Sequence, residues 1–272
     1  MAGQWMWTQV SNMGPSARVE PSIAFHPGDM RVVLFGGLVN GGFLRDTWEW
    51  DGDLWSMAQD IGPSERHDAA MSEAFDGTVL LFGGRRGAQV FGDTWQWNGE
   101  TWTQVEDSGP GPRGGAALTL DRATGRTILF GGDGGTDTWL WDGTRWTQLQ
   151  DAGPTLGEPR LVFDVPSGTL LLVGSITPAQ PWRTFMFAQD TWVPVSDMGP
   201  ASVVRCTFSS PKGAVACDDH TWLWDGAQRR WTQVQDMGPK SGTLVGTWDP
   251  ARSRGVGFDG NAATTWRLTA PS

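Results

Sequence analysis

The sequence predicts an all-β chain folded as a six-bladed β-propeller of four-stranded antiparallel blades, and three observations predict it. First, a tryptophan-rich unit recurs: "DTWEWDGDLW" (46–55) returns as "DTWQWNGETW" (93–102) and "DTWLWDGTRW" (137–146), in altered form as "RTFMFAQDTW" (183–192), and with two added residues as "HTWLWDGAQRRW" (220–231). Second, an apolar stretch precedes each unit, reading "RVVLFGG" (31–37), "TVLLFGG" (78–84), "RTILFGG" (126–132), "TLLLVGS" (169–175), "GAVACDD" (213–219) and "RGVGFDG" (254–260). Third, the sixth unit stops at "TTWRLTAPS" without a last strand, whereas "MWTQVSNMGP" (6–15) opens the chain with one strand to spare. The N-terminal strand is therefore expected to complete the last blade. Ring closure of this kind removes the open ends that a linear repeat array must cap.

Within each unit the strands follow in a fixed order. Strand a is short and runs into a turn, as in "SIAFHPGD" or "ALTLDRATG"; strand b is the "LFGG" run. Strand c alternates with period two, as in "TWEW", and strand d is "WTQV", followed by turns such as "DIGP" (60–63) and "DMGP" (197–200). No window carries a helical period. Residues 1–272 read as one propeller domain.

Fifteen of the 18 tryptophans fall on repeat positions: 7, 48, 50, 55, 95, 97, 102, 139, 141, 146, 192, 222, 224, 231 and 266. Flat sheets meeting face to face need large rigid plates. A buried indole hides roughly 150–250 Å², about 4–6 kcal/mol gross before entropy. The repeat tryptophans are accordingly expected between blades rather than as a row of sugar platforms.

Composition narrows the function. The net charge of −10 disfavours nucleic acid, which demands clustered positive charge, and anionic membrane surfaces. No apolar run approaches the roughly 18 residues of a membrane span, and "MAGQWMWTQV" lacks the pattern of a signal peptide. A cytoplasmic monomer is expected unless a leader precedes this start. Cys206 and Cys217 flank the turn "SSPKG" at nearly equal distances. They are expected to face each other across strands a and b, either as reduced core residues or as a disulfide.

The apolar-Gly-Gly strand, the aromatic on strand c and the Trp opening strand d resemble the kelch repeat over nearly the whole chain. Units 1–3 match well, and units 4–6 lose the double glycine. The "WD" dipeptides at 50–51, 141–142 and 224–225 suggest WD repeats less well, because the Gly-His signature of that family is absent. The kelch resemblance implies binding at one end of the channel. It also implies that arginines after the d–a turn, here Arg18, Arg66, Arg113, Arg160 and Arg205, contact acidic ligands. The copper-radical oxidases of this fold need tyrosines, and the chain has none; the acidic and His spacing of iron-binding plant kelch proteins is absent too.

Departures from the repeat mark the candidate site. The b–c loops and d–a connections share one face, and three b–c loops are long: 38–45, 85–92 and 175–183. They carry Phe43, Phe91 and Trp182, a candidate aromatic wall, together with Arg45 and Arg85. The five arginines are expected at the channel mouth, where a guanidinium suits a carboxylate or phosphate. The competing reading pairs them internally with Glu20, Glu65, Asp68 and Glu158. His67 and His220, beside Asp68 and Asp219, are the acid–base candidates, although neighbours on a strand face opposite sides. His26, in an a–b turn, is expected at the surface of the other face. No metal-ligand spacing is present. The expectation is a cofactor-free ring that recognises a small molecule or acidic peptide, with a cofactor-free cyclase, isomerase or hydrolase as the alternative.

Overall fold

The computed structural model describes residues 4–175, 182–200, 204–235, 238–239 and 242–271. Its strands form six four-stranded antiparallel sheets and a two-stranded ladder of Arg85–Arg86 with Gln89–Val90, and no helix occurs among the described residues. Blade 1 comprises Ser22–His26, Arg31–Val39, Gly42–Trp50 and Trp55–Gln59, ordered a to d from the channel outward. Blades 2 to 5 repeat that order from Ala70–Glu73, Ala117–Asp121, Gly157–Asp164 and Cys206–Ser210. The sixth blade is built from Leu244–Asp249, Arg254–Asp259 and Thr264–Thr269, with Met6–Ser11 as its outermost strand. Each strand a touches the next, and that of blade 6 returns to that of blade 1, so the sheets close into a six-bladed propeller.

The closure has a chemical signature. The Trp that opens strand d of each blade donates its indole N–H to a threonine on strand c of the preceding blade. The pairs are Trp102–Thr47 at 2.8 Å, Trp146–Thr94, Trp192–Thr138 and Trp231–Thr184 at 2.9 Å, Trp7–Thr221 at 2.8 Å and Trp55–Thr265 at 2.7 Å. All six threonines are buried. An indole N–H taken out of water needs an acceptor. The Thr before the first aromatic of strand c supplies it, because alternating side chains send that Thr toward the next blade. The last two pairs, more than 200 residues apart in sequence, join the ends of the chain into the same ring.

The double glycine on strand b has a steric cause. Gly36 and Gly83 adopt φ of +65° and +66°, and a Cβ on them would lie 2.5 and 2.4 Å from the carbonyl oxygens of Arg66 and Arg113 on the next blade. Only glycine lets that segment approach so closely. Two expectations are corrected here. Residues 38–45 are not an open loop: strands b and c of blade 1 run on to Val39 and from Gly42, leaving a tight turn at Asn40 and Gly41. His26 is not a surface residue; it is 2% exposed. Burial lowers its pKa against the pull of Asp29, whose backbone N–H its Nδ1 accepts.

Candidate functional site

The face bearing the d–a connections and b–c turns carries a cavity of about 510 Å³ at the channel mouth. Its polar wall consists of Glu20, Asp68, Asp133, Glu158, Arg85, Arg160 and Arg205. Below, the channel narrows to a recess of about 210 Å³ between small residues including Ala69, Ala70, Ala116, Ala117 and Gly246. It ends in about 80 Å³ beside Glu73 and Arg122, at the opposite face. Burial raises the pKa of the Glu73 carboxyl, with Arg122 opposing.

Three wall carboxylates occupy one repeat position, two residues before strand a in blades 1 and 2 and in the first residues of strand a in blade 4. Glu20, Asp68 and Glu158 sit there with φ of 51°, 59° and 48°, a left-handed conformation that is uncommon outside glycine. Blade 3 has Gly115 at this position. The conformation turns the backbone across the mouth: Asp68 N–H donates to the Glu20 carbonyl at 3.1 Å, and Gly115 N–H to that of Asp68 at 3.0 Å. Adjacent blades are thus tied together just where the carboxylates gather.

The five arginines divide into two groups. Arg18, Arg66 and Arg113 do not line the cavity. Each forks onto the aspartate that precedes the Thr-Trp pair of strand c in its own blade: Arg18 on Asp46 at 2.7 and 2.9 Å, Arg66 on Asp93 at 2.6 and 3.0 Å, and Arg113 on Asp137 at 2.5 and 3.0 Å. The side chains of Arg18 and Arg66 are fully buried. Each of the three also donates its Nε–H to a nearby backbone carbonyl, and each aspartate accepts the indole N–H of Trp48, Trp95 or Trp139. These are internal ion pairs, with partners other than the expected Glu20, Glu65, Asp68 and Glu158.

Arg160 and Arg205 do reach the cavity. Arg205 pairs with Asp219 at 2.9 Å. Arg160 has no carboxylate partner among the described residues; its Nη1 donates only to the Pro159 carbonyl at 3.2 Å. Glu158, exposed beside it, is likewise without an ion pair among the described residues. Arg85 bridges Asp68 and Asp133. Burial and the nearby Glu20 push the Asp68 carboxyl above the usual range despite Arg85. Burial also works on Asp133, but the Gly114 N–H and Arg85 outweigh it and hold that carboxyl low.

The remaining candidates lie off the wall. His67 pairs with Glu20 at 2.7 Å rather than with Asp68, and Phe43 stacks on its ring at 5.6 Å. The His220 side chain is 41% exposed and 3.4 Å from Asp218, not Asp219. Neither histidine faces the cavity, so the four acid–base candidates do not form one constellation. The aromatic wall is also corrected. Trp182 is 2% exposed and packs in a core cluster with Val204 and Trp231, while Phe91 lies under the Arg66 guanidinium at 3.8 Å. Burial between blades took Trp182 from the rim, and stacking on the Arg66 guanidinium holds the half-buried Phe91. Arg45 is exposed and away from the cavity; residues 176–181 of the third loop lie outside the described residues. Cys206 and Cys217 are directly opposed, buried and unbonded.

Sequence reasoning missed Asp46, Asp93, Asp137 and Asp133. The first three had a signal. The repeat position of Arg18, Arg66 and Arg113 and the residue before the Thr-aromatic pair of strand c carry arginine and aspartate together in blades 1–3, and both are missing in blades 4–6, where they read Leu156 and Arg183, Ser202 and His220, and Ser241 and Thr264. Among the described residues no group of three or more His, Cys, Asp or Glu is placed to hold a metal ion. No family model matches the chain, and no curated protein matches it either.

Proposed function

We propose that the protein is a recognition ring that binds a small molecule or short peptide carrying an acidic group at the channel mouth, with Arg160 as anchor and Arg205 beside it. The observation that carries this reading is Arg160, a guanidinium in the wall of a 510 Å³ cavity that forms no ion pair with a carboxylate among the described residues. A planar fork in such a place suits a bidentate carboxylate. The neighbouring Glu158 and the mouth acids offer acceptors to a donor on the same ligand, so a molecule with both an acid and an amine or hydroxyl group fits best. A cavity of this size is in the range of small-molecule sites. The ring is read as a kelch-like propeller on its Gly-Gly strand ends and strand-d tryptophans, working in the cytoplasm as a monomer.

A second reading has one supporting observation. Asp68 lies in the cavity wall with a raised pKa, as an acid–base group of a cofactor-free enzyme would. The test is a panel of small mono-, di- and tricarboxylates, with and without amino groups, plus an Asp/Glu-rich peptide, screened by calorimetry against the wild type and Arg160→Gln. Binding weakened at least tenfold by Arg160→Gln, at unchanged melting temperature, supports the reading. Binding that ignores the substitution sinks it. Turnover of a bound compound that Asp68→Asn abolishes would favour the enzyme.

A further inference from the structure

At the face opposite the mouth, one interface between blades differs from the others. The second aromatic of strand c is a plate wedged against the preceding blade: Trp50 is 2% exposed, Trp97 0%, Trp141 2% and Trp224 4%. Each leans on the Trp of strand d, with ring centroids 5.3–5.5 Å apart. Blade 6 has Leu268 instead, and Trp5 enters the same cluster to make up the volume; both are buried, at 0% and 4%. Blade 4 has Phe187, and here the position is partly exposed. Phe187 still packs on Trp192, at 4.7 Å, but beside it opens a pocket of about 380 Å³ between blades 3 and 4. Its apolar wall is Ile128, Leu140, Leu170, Met186 and Phe187, and Asp190 lies at its rim. The recess between blades 4 and 5 is larger, about 680 Å³, yet Trp224 stays in place there, so a recess alone does not expose the plate.

We infer that the pocket between blades 3 and 4 is a binding site for a small planar aromatic molecule of the size of an indole. Four sister interfaces hold an indole at this level of the sheet, and the fifth recruits one from the N-terminal segment; blade 4 supplies a single ring and leaves room beside it. A hydrophobic recess with a stacking ring at its edge gains by exchanging water for a flat apolar face. Leu140 stands where blade 1 has Glu49, which accepts the Trp97 indole N–H at 3.2 Å. The pocket therefore favours the aromatic ring itself, with any polar substituent directed outward toward Asp190. The site is separate from the mouth and does not depend on what binds there.

The experiment uses 5-fluoroindole followed by ¹⁹F NMR, with amide shifts of the labelled protein locating it. The wild type should broaden and shift the fluorine signal, unlabelled indole should reverse the effect, and the amide changes should fall on 121–128, 168–170 and 186–190. Phe187→Trp, which installs the plate of the sister blades, should raise the melting temperature and weaken binding at least tenfold. If that variant misfolds, the wild-type shift map decides alone. No binding up to the solubility of the probe, a map centred on the mouth, or full binding by a folded Phe187→Trp protein overturns the inference.

Discussion

Blades 1–3 and blades 4–6 share one architecture but treat arginine in opposite ways. In the first half, Arg18, Arg66 and Arg113 are clamped on Asp46, Asp93 and Asp137 and cannot reach a ligand without breaking a buried pair. In the second half the clamp is absent at both positions, and Arg160 within strand a of blade 4 and Arg205 just before that of blade 5 face the cavity. What both halves keep is the Trp–Thr pin between blades. The difference teaches that the pin is the requirement of the ring, whereas the Arg–Asp clamp is a local device. Where the clamp is dropped, the wall of the mouth can carry a free guanidinium.

The comparison breaks most visibly through stability. Arg66→Ala leaves Asp93 without its partner in a partly buried site and should cost about 3–5 kcal/mol in urea unfolding. Arg160→Ala, having no ion pair to lose, should stay within about 0.5 kcal/mol of the wild type. Equal losses for the two would erase the distinction between the halves.

Next in size are the pins, expected to matter alike on both sides. Thr94→Val and Thr184→Val keep shape but strand the indole N–H of Trp146 and of Trp231, so each should cost about 1–3 kcal/mol. A large loss in one half with none in the other would show that the ring is not held by a repeated contact.

The smallest effect is in acid. Burial opposes ionisation of Asp93 and Asp137, but Arg66 and Arg113, with the Trp95 and Trp139 indoles, outweigh it and hold both carboxyls below their ordinary value. A depressed folded pKa stabilises the protein above the unfolded value near about 4, and that contribution is lost as pH falls through the folded value. Unfolding midpoints measured from pH 5 downward should therefore drop more steeply for the wild type than for the double variant Asp93→Asn, Asp137→Asn. Parallel curves would remove the clamps from the acid response.

The fold was legible because repetition writes it many times over. The spare "WTQV" at the N-terminus and the missing one at the C-terminus identified closure before any coordinates, and the tryptophans do lie between blades. The site was legible in part. The structure brings Glu20, Asp68, Glu158, Arg85, Arg160 and Arg205 together on the wall of one cavity. Arg18, Arg66 and Arg113 were misplaced because a guanidinium's destination depends on a partner some 24–28 residues away, although comparing the repeats with one another would have found it. Trp182 and His26 were misjudged for another reason. His26 ends strand a of blade 1 and Trp182 stands just before strand c of blade 4, and whether a residue at a strand end points outward or into the neighbouring blade is decided by packing that the local sequence does not encode. Asp133 was overlooked because its turn is short, yet a short turn in left-handed conformation aims its carboxylate at Gly114 and Arg85.

The division of the arginines can be observed directly by following their Nε–H resonances during a titration with citrate. Arg18, Arg66 and Arg113 should exchange slowly with solvent and stay unmoved, while Arg160 exchanges fast and shifts as citrate is added. Fast exchange and citrate-induced shifts at Arg66 or Arg113, with Arg160 silent, would contradict the account.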